Sequence, residues 1–449
     1  MPFRRPKTQP RASKLLAATP LWCYALSLMA PATKSTEIRD VSCPFCGLVC
    51  DDLVLTAAAD RLAVSANGCR ISEAAFARAA GDAQPRVNGK ATTLDVAAKE
   101  AAKLLRGAHQ PLFAGLGSDV AGARAAGRLA ERCGGVLDHM NSAAALRNLF
   151  VLQDRGWMTT TMSEVRNRAD LLVVAGTDIV SRFPRFFERC VANSETLFGK
   201  DRRCEVICLG PALPGGTKLS APAPRVVACD VSRLHEALGV MRALLAGRPL
   251  QAKEAAGVPL AVWKEVTEKM RTARYGVLAW AVADFDFPHA ELTVHALCDL
   301  IRDLNQTTRF SGFPLGGSEG DLTADAVGLW QTGFGSRTSL GRGTPEYDPY
   351  HLSTRGLLER GEADLLFWIS TFDLTRTPPS TTIPTIVLGA AGMAIKKEPA
   401  VFIPVGTPGI DHAGHLFRTD RVVAIPLRQL RRSSLPSVAE AIGAIEAVW

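Results

Sequence analysis

From about Lys90 onward the spacing of apolar residues switches regularly between two periods. Thr92 to Leu105 is an Ala-rich stretch with helical spacing behind a capping threonine. Pro111 to Ser118 is a short apolar run ending in glycines, the pattern of a buried strand. Ala121 to Cys133 returns to helical spacing, and Gly134 to Asp138 begins another strand. Strand, glycine, helix and strand in this rhythm predict an α/β protein with parallel sheets and right-handed crossovers. Such sheets bind ligands at the carboxyl ends of their strands. Farther on, helices are predicted over Ser232–Leu245, Val258–Met270 and His289–Leu304, with a strand over Tyr275–Ala283. Gly312–Gly320 and Trp330–Gly335 read as glycine-punctuated loops lining a cleft. Val401–Pro404 and Ile410–Arg418 read as strands and a turn, with His412 and His415 as turn residues.

One strand pattern occurs twice. Asp170-Leu-Leu-Val-Val-Ala-Gly-Thr-Asp-Ile-Val-Ser-Arg-Phe-Pro184 returns as Asp364-Leu-Leu-Phe-Trp-Ile-Ser-Thr-Phe-Asp-Leu-Thr-Arg-Thr-Pro378, matching without a gap at Asp, Leu, Leu, Thr, Arg and Pro. The duplication predicts two Rossmann-like lobes facing each other across a cleft. Gly176, Thr177 and Asp178 of one lobe and Ser370 and Thr371 of the other would cradle a nucleotide or dinucleotide pyrophosphate through backbone amides. The expected boundaries are a tail over 1–35, a small cysteine module over 36–90, lobes over 91–250 and 251–400, and a terminal strand and turn segment over 401–449.

The cysteine module carries the clearest chemistry. Cys43, Cys46, Cys50 and Cys69 are spaced C-x2-C-x3-C-x18-C. Three thiols within one short loop and a fourth from a distant one suit an iron–sulfur cluster or zinc, with four unliganded thiols as the bland alternative. Pro44 and Gly47 supply the turns. The x3 gap favours [4Fe-4S], because zinc sites usually pair two CxxC knuckles. The net charge of +8 says little about partners: six basic residues precede the first acidic one, Glu37, and the remainder is close to neutral. No aromatic-studded basic face is present, which argues against nucleic acid. Leu15 to Ala30 behind a basic start resembles a secretory signal, but Pro20 interrupts it and it is too short to span a bilayer. Met29 offers a rival start. Scattered cysteines elsewhere fit a reducing compartment, so the expected location is the cytoplasm, without membrane association.

Together these residues resemble the molybdopterin oxidoreductases, and within them the B subunit of formylmethanofuran dehydrogenase. The likeness rests on Cys43–Asp52, Gln153-Asp-x-Gly156, Glu164–Asp170, Trp330-Gln-Thr-Gly333 and Ile410-Asp-x-x-Gly414. The resemblance implies a tungsten or molybdenum pterin ligated by one cysteine or selenocysteine, and that position falls on Ala144. Ala143 and Ala145 beside it carry no donor either, and the family's following His-Gly is Leu146-Arg147. The departure points to the formyltransferase/hydrolase complex of methylotrophic bacteria. The expectation is a non-redox scaffold subunit, without metallopterin. Its implied partners are amidohydrolase-like, formyltransferase and C-type subunits, which together convert formyl-tetrahydromethanopterin to formate through a methanofuran-type carrier. The alternatives are a redox-active dehydrogenase subunit with metallopterin and [4Fe-4S], and a stand-alone zinc-binding module.

Overall fold

The computed structural model describes residues 36–58, 61–79, 83–192, 195–197, 199–200, 203–211 and 223–449. The signal-like stretch expected within residues 1–35 lies outside the described residues. Parallel strands dominate. The chain lays down β1 (Pro111–Gly117) and β2 (Val136–His139) side by side. It then builds a separate five-stranded sheet from β3 (Leu171–Ala175), β4 (Glu205–Leu209), β5 (Arg225–Val227), β6 (Gly276–Ala281) and β7 (Phe310–Leu315). Only afterwards do β8 (Leu365–Ser370), β9 (Thr385–Ala390) and β10 (Val401–Val405) return to the first pair. They complete a nine-stranded sheet whose short outer strands are antiparallel.

The spatial order is β5-β4-β3-β6-β7 in one sheet and β10-β9-β8-β1-β2 in the centre of the other. These orders are equivalent, with β3 matching β8 and β6 matching β1. The difference is that β1 and β2 precede their partners in the chain. The two sheets are therefore nested rather than consecutive, because β1 pairs with β8 and not with β3. This corrects the expected boundaries at 91–250 and 251–400. Tyr275–Ala283 does not open a second lobe; its strand β6 pairs with β3. Val401–Val405 is an integral strand rather than part of a terminal segment. The predicted loop at Gly312–Gly320 is half strand: Phe310–Leu315 is β7, which tolerates Pro314 because it lies at the sheet edge. Trp330 and Thr332 end the Asp321–Thr332 helix instead of a loop.

Both faces of these strands are buried, which is why they read as continuous apolar runs. In β3, Leu171, Val173 and Ala175 pack with Leu238, Trp263 and Leu297, while Leu172 and Val174 face Phe186 and Phe313. Burying side chains of this size contributes about 1.5–3 kcal/mol each. The second cluster also contains Cys43, Cys46, Cys50 and Phe76, so the cysteine module closes one face of the five-stranded sheet. Its frame is an antiparallel sheet of Thr36–Val41, Leu53–Ala58 and Arg61–Ala66. Gly47 seats the cysteine loop: a Cβ there would lie 1.8 Å from the Gly316 carbonyl oxygen. The Thr419 amide donates to the Gly47 carbonyl at 2.7 Å, and its hydroxyl accepts from the Gly316 amide at 3.0 Å.

The repeated segments do the same work in each sheet. Asp170 accepts the backbone amides of Arg274 (2.8 Å) and Tyr275 (2.9 Å), just before β6. Asp364 accepts those of His109 (2.6 Å) and Gln110 (3.0 Å), just before β1. At the other end, the Thr177 hydroxyl accepts the Ala281 amide, and the Thr371 hydroxyl donates to the Gly117 carbonyl. Arg182 then pairs with Asp284 and Arg376 with Glu319.

Candidate functional site

A cavity of about 490 Å³ lies where the carboxyl ends of β6 and β7 meet the Ser142–Arg155 helix and the cysteine loop. Ala144 and Ala145 line it from the helix, and Phe45 and Cys46 from the loop. Arg182 and Arg376, the matched arginines of the repeat, both reach it. In the sequence these two stand out only as repeat matches, and Arg421, Asp321 and Asp325, which also line the wall, do not stand out at all. The signal available is Asp321 and Asp325 at i, i+4 on one helix after a glycine-rich turn. The residues expected to cradle a nucleotide sit elsewhere. Gly176, Thr177, Asp178, Ser370 and Thr371 do not line this cavity. Thr177 and Thr371 are buried with their hydroxyls bound to neighbouring strands, and Asp178 caps a short helix by accepting the Ser181 amide.

Much of the cavity's polar wall is tied up internally. Arg182 holds Asp284 at 2.7 Å and Arg376 holds Glu319 at 2.5 Å. Asn141, which precedes the Ser142–Arg155 helix, donates to Asp321 at 3.0 Å and to Glu319 at 3.3 Å. Burial pushes the Asp321 carboxyl up, whereas Asp325, despite burial, is held low by His139 and Arg421. Behind this wall, His139 is 2% exposed and 3.2 Å from Asp325. Burial works against its charged form, but Asp325, with Asp321 and Asp138 beyond, outweighs burial and raises the ring from 6.5 to about 9. The Asn141 amide meets Nδ1 at 3.2 Å, which favours the neutral ring. The Asp325 carboxylate at 3.2 Å outweighs this one long amide contact and sets the upward direction.

A raised histidine stabilises the fold fully below its unfolded value, and the contribution fades as pH climbs through the folded value. His139→Gln is therefore expected to destabilise the protein most at mildly acidic pH. The gap to wild type should narrow by about 3 kcal/mol between about pH 6 and about pH 10 in denaturant titrations. A gap that does not change with pH would assign the ring to packing alone.

The four cysteines form the second feature. Cys43, Cys46 and Cys50 are buried, and Cys69 caps the Arg70–Phe76 helix with its amide bound to Ser72. Burial raises the Cys46 thiol to about 12 and the Cys50 thiol to about 11, and drives Cys43 well above its ordinary value. Each of the four sulfurs also lies near enough to repel a thiolate on any other. Arg185 and Arg189 oppose this at Cys50. Arg185, 3% exposed, grips Asp52 through two bonds of 2.7 and 2.8 Å, and Arg189 holds Asp51 at 2.6 Å. A zinc ion with sulfurs at about 2.3 Å would draw four thiols to about 3.8 Å from one another. Among the described residues, no group of three or more His, Cys, Asp or Glu is arranged to hold a metal ion.

No protein-family model matches the chain. It is 28% identical over 408 residues to the B subunit of the tungsten-containing formylmethanofuran dehydrogenase 2 of Methanocaldococcus jannaschii, covering 88% of this chain and 93% of that one. It is 30% identical over 344 residues to the B subunit of the formyltransferase/hydrolase complex Fhc of Methylorubrum extorquens, covering 75% of this chain and 89% of that one. The chain belongs to the family of Fhc B subunits. Its fold is likewise similar to a chain in the crystal structure of the Methylorubrum extorquens complex FhcABCD with methylofuran. The TM-score is 0.70 with 27% identity, over 81% of this chain and 98% of that one. Among the described residues of this Fhc family member, no helix is long and apolar enough to cross a membrane.

Proposed function

We propose that this chain is the B subunit of a formyltransferase/hydrolase complex, a non-redox scaffold in a cytoplasmic assembly that turns formyl-tetrahydromethanopterin into formate through a methanofuran-type carrier. Its partners are a formyltransferase, an amidohydrolase-like hydrolase and a C-type subunit. The observation that carries this reading is Ala144, a methyl group on the cavity wall at the position where the dehydrogenase resemblance calls for a metal ligand. Similarity to the Fhc B subunit of Methylorubrum extorquens supports it. The two nested sheets are read as Rossmann-like lobes whose former cofactor cleft survives as the cavity. At the position the resemblance assigns to the metal ligand, Ala144 and its neighbours Ala143 and Ala145 offer no donor. The decisive experiment assays the co-purified complex for formate release from formyl carrier with and without an electron acceptor. Acceptor-independent release is expected; strict dependence on the acceptor would return the chain to the dehydrogenases.

Cys43, Cys46, Cys50 and Cys69 are proposed to hold a [4Fe-4S] cluster, which would supply a covalent clamp between the cysteine loop and the helix beginning at Arg70. Protein purified without oxygen is expected to be brown, with iron and sulfide each near about four per chain. Colourless, metal-free protein from the same preparation would refute the cluster.

A further inference from the structure

The structural repeat supplies its own control for a group of cations on the far side of the five-stranded sheet. At the amino-terminal edge, opposite the strand ends that border the cavity above, a second cavity of about 560 Å³ is lined by Arg168, Lys200, Arg274 and Arg309, with Asp170 and Tyr275 at its floor. Three neighbouring strands, β3, β6 and β7, each bring an arginine there from the residues just before they begin. Asp170 offsets one of these charges, but its two oxygens are engaged by the Arg274 and Tyr275 amides and it makes no ion pair with the Arg274 or Arg309 side chain.

The second copy has the same aspartate with the same pair of amide bonds but none of the arginines. Through the repeat and the strand registers, Arg168 corresponds to Glu362, Arg274 to His109, and Arg309 to Gly134. The aspartate clamp is therefore what the sheet edge requires, and the cations are an addition that it does not. Arg168 is held in place by Glu164 at 2.6 Å. Arg274 and Arg309 are exposed and have no side-chain hydrogen bond or ion pair among the described residues. Two guanidinium groups from adjacent strands, neither of them engaged, are available to fork one anion between them.

We propose that this cavity binds a small oligoanion bearing phosphate groups or several carboxylates, with Arg274 and Arg309 as its principal donors. Guanidinium forks match both chemistries, and the site stands apart from the cavity at Ala144. The intact complex would be titrated calorimetrically with pyrophosphate and, separately, with citrate at low ionic strength. Binding is expected for at least one, weakening as salt is added. Preference for pyrophosphate assigns a phosphorylated ligand, and preference for citrate a polycarboxylate. Arg274→Gln with Arg309→Gln should weaken binding roughly tenfold or more. Arg342→Gln, an exposed arginine elsewhere, should leave it unchanged. Both substituted arginines are on the surface, so the variant is expected to fold, as checked by its thermal transition. Absence of binding for both anions, equal affinity in the double variant, or another chain of the complex filling the cavity would each overturn the proposal.

Discussion

A complex carrying Ala144→Cys is expected to stay free of stoichiometric tungsten or molybdenum and to gain no acceptor-dependent turnover, while formate release continues at the unsubstituted rate. A thiol alone does not rebuild a metal site, because the shell around a ligand orients it and tunes the metal. Around Ala144 that shell has been reassigned. Leu146 is 4% exposed in the core, and Arg147 is latched to the Val282 carbonyl at 3.3 Å and to Asp286 at 3.6 Å. Arg376 and Asn141 are both tied to Glu319, so a bulky anionic cofactor would have to displace these contacts to enter. Metal analysis of the purified variant and an assay with an artificial acceptor decide it. One metal per chain with dehydrogenase turnover would show that the single substitution is all that separates this chain from the redox subunits.

Arg185→Leu is expected to destabilise the chain by about 1.5–3 kcal/mol, because it removes the buried centre of a charge network whose carboxylates are only partly buried. Asp52 then loses its two bonds to Arg185 and keeps only Arg189, at 2.7 Å, while Glu188 loses its contact with Arg185. Although burial opposes it, Asp52 is held below the usual carboxylate range by Arg185 and Arg189. A depressed carboxylate stabilises the fold above its unfolded value and loses that contribution as pH falls through the folded one. The penalty of the variant should therefore shrink in acid. Urea titrations of wild type, Arg185→Leu and Arg185→Leu/Asp52→Leu give the test. The double variant should recover part of the loss, since removing both charges of a buried pair is milder than removing one. A single variant within about 1 kcal/mol of wild type would mean that the network contributes little to holding the cysteine loop.

The sequence made some of these features plain and hid others, for physical reasons. The cysteine spacing and the repeat were visible because each depends on local side chains: four thiols, an aspartate before a strand, a threonine after it. Ala144 was visible as an absence against a resemblance. Nesting was not, because the bond between Gln110 and Asp364 joins residues 254 apart and leaves no local mark on either. Pro314 and the glycines around it mimic a loop, since only the pairing shows that β7 is an edge strand. The cavity residues were missed for a related reason. Loops at strand ends suggested a backbone cradle, whereas the wall is made by side chains from Arg182, Arg376 and the Asp321–Thr332 helix, which the three-dimensional arrangement alone brings together.

The nested order also sets a timetable for synthesis. When β1 leaves the ribosome, its eventual neighbour β8 is still some 250 codons away, roughly 10–50 s at ordinary translation rates. Over that interval the five strands of the inner sheet are all delivered and can pair among themselves. One edge of β1, apolar along its whole length, meanwhile has no hydrogen-bonding partner. Open apolar edges are where nascent chains aggregate. A ribosome stalled just after β7 would thus present a finished inner sheet attached to an adhesive two-stranded remnant, so slow codons within residues 316–364 are the place where low yield of this protein would originate.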